Sequence, residues 1–178
     1  MSEAITVSRP KARRRGIIAL QLLLVLGFLG IFAYAFQSTV LAPRSAIPDR
    51  VGELELLEKV EGDAAIAQVG RLHGTDITLE DAYIAKYGHS GLQLTAWVGM
   101  AADPAAAGEL MRRMLEGIQR GGSGFSNLKR QTVSDTEVYL VDGPGGKHYF
   151  YINGEKVVWL IFEGGDYQTV LSLAVRAF

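Results

Sequence analysis

Three histidines, His73, His89 and His148, hold most of this chain's scope for acid–base or metal chemistry near neutral pH. Their spacing favours neither. No pair lies four apart on a helix, no His-x-His occurs, and there is no HExxH, so no zinc-binding pattern is written into the sequence. Cysteine is absent, which removes disulfides, thiolate metal sites and a catalytic thiol together. His73 falls at the end of an expected helix, where the dipole favours a cation, and His89 falls in an expected turn. His148 differs, because it follows Gly143-Pro144-Gly145-Gly146 and stands among aromatics on an expected strand. It is the candidate functional histidine. No metal ion or other cofactor is expected.

Nucleophilic and phosphate chemistry are no better supported. Gly121-Gly122-Ser123-Gly124-Phe125 comes close to a GxSxG elbow, but it follows a helix where the elbow needs a strand. No Gly-Lys-Ser/Thr follows it, so it is not a phosphate loop. Glu53, Glu55, Glu58, Glu61 and Asp63 gather carboxylates without the spacing and central glycine of a calcium loop. A solvated acidic face is the expectation, and the same holds for Glu80-Asp81. No catalytic residue is singled out, and the chain reads as a non-enzyme.

The densest aromatic stretch is KHYFYINGEKVVWLIF, residues 147 to 162. Asn153-Gly154 is the preferred pair for a type I′ hairpin loop. That turn would place Ile152 opposite Glu155, Tyr151 opposite Lys156, Phe150 opposite Val157 and His148 opposite Trp159. Strand alternation then puts His148, Phe150, Ile152, Val157 and Trp159 on one face, and Tyr149, Tyr151, Val158 and Leu160 on the other. Tyr149 and Tyr151, with Lys156 beside them, form the candidate partner-binding surface.

Around this hairpin the pattern predicts a strand over 52–62 and a helix over 62–74, then strands over 80–88 and 92–100. Asp103-Pro104 opens a helix whose stripe is Leu110, Met111, Met114, Leu115 and Ile118, and Gly121-Gly122 stops it. Strands follow over 126–133 and 137–142, and Asp166 opens a last helix. Residues 82–118 and 147–177 echo each other as strand, turn, Trp-bearing strand, helix, which suggests a duplicated ββα unit. Hairpins outnumber crossovers, so the expected fold is α+β: an antiparallel sheet of hairpins with helices packed on one face.

The first 50 residues are of another kind. Residues 1–15 form a basic tail, with Arg9, Lys11, Arg13, Arg14 and Arg15 against Glu3. Residues 16–36 are almost wholly apolar and, as a helix, would reach about 30 Å, the hydrocarbon thickness of a bilayer. Arg13, Arg14 and Arg15 orient this expected transmembrane signal anchor with the N-terminus cytoplasmic. Ala33-Tyr34-Ala35 also fits cleavage after Ala35, a rival that delivers the remainder to the same side. Residues 37–50, with Pro43 and Pro48, read as a linker, and 51–178 as the extracytoplasmic, periplasmic domain. With the tail so basic and the whole chain at −1, that domain is net acidic and unsuited to nucleic acid. The expected role is therefore a single-pass membrane protein that binds another membrane or extracytoplasmic protein, as an accessory or assembly subunit. The alternative is a ligand-sensing domain with a pocket between sheet and helices, lined by Trp97, Trp159 and Met114.

Overall fold

Residues 46–73 and 77–178 are described in the computed structural model; the expected tail, the membrane segment 16–36 and most of the linker lie outside them. Among the described residues no helix is long and apolar enough to cross a membrane. The elements run β1 (Arg50–Val51), β2 (Leu54–Glu61), α1 (Asp63–His73), β3 (Asp81–His89), β4 (Leu92–Met100), α2 (Pro104–Arg120), β5 (Ser126–Val133), β6 (Thr136–Gly143), β7 (Gly146–Asn153), β8 (Lys156–Glu163) and α3 (Gln168–Ala177). The architecture is α+β, with one eight-stranded antiparallel sheet in the order β1-β2-β3-β4-β8-β7-β6-β5.

Local chemistry explains most of these elements. Asp103 accepts a hydrogen bond from the Ala106 amide at 2.7 Å, and Pro104 occupies the first turn of α2, where its missing N–H costs nothing. Ser134 and Asp135 both take positive φ, 48° and 65°, as the tight turn between β5 and β6 demands. The last hairpin differs from the Asn-Gly expectation. Asn153 pairs with Lys156 inside the ladder, and the two loop residues are Gly154 and Glu155. Gly154, at φ 62°, is the first central residue, as in a type II′ turn. The register therefore slides by two, so that Phe150 faces Trp159 and His148 faces Ile161. A slide of two keeps every side chain on its expected face.

Helices cover both faces of the sheet, not one. Leu171, Ala174 and Val175 of α3, with Phe178, pack on Tyr83, Tyr87, Val98, Tyr149, Tyr151 and Leu160. On the opposite face Ala107, Met111 and Ile118 of α2 pack on Val141, Phe150 and Val157, while Ala65 and Val69 of α1 pack on Ala82 and Ile84. The physical reason is the hairpin just described. Both of its faces are apolar, and one layer of helices can dry only one of them.

The strand order is symmetric about the β4–β8 pair, and Trp97 lies directly opposite Trp159 across it. The suggested duplication goes no further than the strands. A twofold axis normal to a sheet preserves its faces, whereas the helices that follow β4 and β8 pack on opposite ones.

Candidate functional site

The antiparallel registers place one transverse row of side chains across the sheet. Val60, Ile84, Trp97, Trp159, Phe150, Tyr139 and Arg130 are successive partners from β2 to β5. Aromatic contact continues along it: Phe150 stacks on Trp159 with ring centres 4.6 Å apart and planes at 9°, and Tyr139 stacks on Phe150 at 5.4 Å. Phe150 is fully buried beneath α2, but Trp97 and Trp159 are only half-buried. They lie beneath the gap between α1 and α2.

That gap is a cleft of about 550 Å³. Trp97, Gly99, Val157, Trp159 and Ile161 form its floor on β4 and β8. Leu110, Met114, Gly117 and Ile118 of α2 wall one side, and Val69, Ile77 and Leu79 contribute from α1 and the segment after it. Phe125 and His148 also line it. Phe125 meets His148 edge-on at 5.2 Å and Trp159 at 5.1 Å. It fits there because residue 143 is glycine: a Cβ at Gly143 would lie 2.4 Å from the Phe125 ring. The charged groups of the lining, Arg113, Glu116 and Arg120, come from the second half of α2, and Ser123 comes from the loop after it.

His148 is buried, and both ring nitrogens are engaged. Nδ1 accepts from the Trp159 indole Nε1–H at 2.9 Å, and Nε2 lies 2.9 Å from the Pro144 carbonyl oxygen. An indole N–H only donates and a carbonyl only accepts, so the imidazole is the neutral Nε2–H tautomer. Burial holds its pKa below the ordinary value, against a weaker upward pull from the Pro144 hydrogen bond. A neutral ring with no free nitrogen is poorly suited to act as a base or a metal ligand. Its visible work is to orient Trp159 in the cleft floor. His89, expected in a turn, is the exposed last residue of β3, paired with Leu92, and His73 ends α1. Among the described residues no cluster of three or more metal-ligating side chains occurs.

The candidate partner surface is not a surface in this fold. Tyr149 and Tyr151 are 2 % and 0 % exposed beneath α3. The Tyr149 hydroxyl donates to that of Tyr167 at 3.2 Å, and Tyr151 points at the Ala174 carbonyl oxygen at 3.4 Å. Lys156 is half-buried, with Nζ 3.4 Å from the main-chain oxygen of Phe178. The hydrophobic pattern marked that face as apolar, and α3 is what covers it. The carboxylates of β2 pair outward: Glu55 with Arg50 at 3.5 Å, Glu58 with Lys86 at 2.9 Å and Glu61 with Lys59 at 2.7 Å. Arg13, Arg14 and Arg15 lie outside the described residues.

Trp97, Trp159, Met114 and His148 were legible as candidates; Gly117, Phe125 and Arg120 were not. Gly117 carried a signal, being a glycine inside a helix where alanine would be more stable. Nothing lies within 4 Å of a Cβ built on it. Leu79 and Ile77 carried none, because they belong to no regular element. No family model matches the chain and comparison with curated proteins gives no match, so the chemistry of the cleft rests on its own geometry.

Proposed function

We propose that residues 51–178 form a non-catalytic binding domain for an apolar small molecule, held on the extracytoplasmic side of a membrane by residues 16–36. The observation that carries this reading is the cleft of about 550 Å³ between sheet and helices, with Trp97, Trp159 and Met114 in its walls. Its size is that of ordinary ligand sites, and its mix of apolar walls with a few polar groups is typical of them. A side chain at Gly117 would enter this space, and the helix forgoes about 0.5–1 kcal/mol to leave it open. The satisfied, neutral His148 supports binding over catalysis. The burial of Tyr149 and Tyr151 removes the surface on which a protein-partner role was expected to rest.

Native mass spectrometry of the full chain, released from its own membrane, tests the reading. A small-molecule adduct is expected on the wild type and not on Gly117→Phe, which fills the cleft. An adduct-free wild type whose tryptophan emission also ignores a brominated fatty-acid methyl ester would overturn it.

A further inference from the structure

We infer that the ligand is a single-chain amphiphile with an anionic end, its tail on the Trp97–Trp159 floor and its charge at Arg120; this rests on the binding role proposed above. Among the described residues three charged side chains line the cleft, and two are already committed. Arg113 donates to Glu109 at 3.1 Å, and Glu116 is held by Arg112. Hydrogen bonds from Arg112 and Arg113 keep the Glu109 carboxyl down to about 2, so this ladder along the outside of α2 stays ionised and internally neutralised. Arg120, in the last turn of α2, also lines the cleft, is exposed and has no ion pair among the described residues.

The guanidinium is thus an unpaired cation on the lining of a largely apolar cleft, with the Ser123 hydroxyl as another polar group on the same lining. Its planar fork matches the two oxygens of a carboxylate or phosphate. Among the described residues, the paired charges on α2 leave Arg120 as the unpaired positive group of the lining, which complements one negative group. The volume suits one acyl chain or ring system.

The chain's own tryptophans read the test. Both line the cleft and residues 16–36 contain none, so the tryptophan emission reports from the domain. Full-length protein in nanodiscs of zwitterionic lipid would be titrated with a brominated fatty acid, a brominated lysophosphatidate and the brominated methyl ester. The expected result is quenching by all three, with at least one anionic probe about three- to fivefold tighter than the ester, the strength of a solvent-exposed ion pair. Which anion is tighter identifies the head group as carboxylate or phosphate. That preference disappears in Arg120→Gln, an exposed change that leaves the ester's affinity alone. Equal affinity for all probes, or a preference that survives Arg120→Gln, overturns the anionic end while the cleft reading stands. Quenching by none overturns the cleft reading itself. Gly117→Phe, checked for folding by circular dichroism beside Gly117→Ala, loses all quenching if the bromine reports from the cleft.

Discussion

The His148 imidazole and the Tyr83 hydroxyl are opposite cases of a buried polar group. His148 has a partner at each nitrogen, whereas Tyr83 is fully buried with no hydrogen-bond partner for its hydroxyl among the described residues. Burial pushes the Tyr83 pKa upward, with a smaller push from Tyr87, so the group stays a neutral phenol. Leaving such a group unpaired costs about 1–3 kcal/mol. Tyr83→Phe should therefore be neutral or stabilise the fold by about 1 kcal/mol. Tyr87→Phe, which breaks a 2.9 Å bond to the Pro48 carbonyl oxygen, should lose about 1 kcal/mol. Urea midpoints of the two variants check this pair, and a Tyr83→Phe loss as large as that of Tyr87→Phe would count against it. His148 ties stability to pH. Its folded pKa is depressed, so the unfolded chain takes up the proton first as pH falls past about 6.5. The stability from the neutral ring is complete above that value and declines below it. Between pH 7.5 and 5.5 the wild type should lose more stability than His148→Gln, which keeps a donor and an acceptor without a titration.

At the scale of elements, α2 carries two features that pull against each other. Its start is well capped by Asp103, and Asp103→Ala should cost about 1 kcal/mol. Its last turns contain Gly117 facing open space, and Gly117→Ala should gain about 0.5–1 kcal/mol. Thermal unfolding of both single variants and the double variant measures these, with near-additivity expected because the sites lie on different turns. The edge strands are guarded by charge. Lys129 and Arg130 stand on β5, and Glu58, Lys59 and Glu61 on β2 beyond the two-residue β1, which discourages pairing with other chains.

For the whole molecule, every neighbour pair in the sheet except β4–β8 is a sequence-adjacent strand pair. That one ladder joins two four-stranded halves, and Leu160 sits in it fully buried. Leu160→Ala should destabilise by about 2–5 kcal/mol. The two halves should still unfold together, with coincident urea transitions by tryptophan emission and far-ultraviolet circular dichroism. Separate transitions would show that the central ladder does not couple them. Both tryptophans lie on this seam, opposite each other, so their emission reports on the ladder that joins the halves.

The element order, the two-sided hairpin and the capped α2 follow from local rules: period-two alternation, turn residues and an Asp-Pro start act over a few positions and leave direct marks in the sequence. Residues Trp97, Met114 and Trp159 could be named as a pocket lining for the same reason, since each stands on an apolar stripe. What the local pattern does not contain is which strand lies beside which, and which helix crosses to which face. The β4–β8 pairing puts the two tryptophans side by side across a gap of some sixty residues, and α3 on the far face turns Tyr149 and Tyr151 from a candidate surface into core. The cleft, the room beside Gly117 and the unpaired Arg120 on its lining are products of that placement. They depend on the space left between packed elements, and a gap has no residue of its own to leave a mark in the sequence.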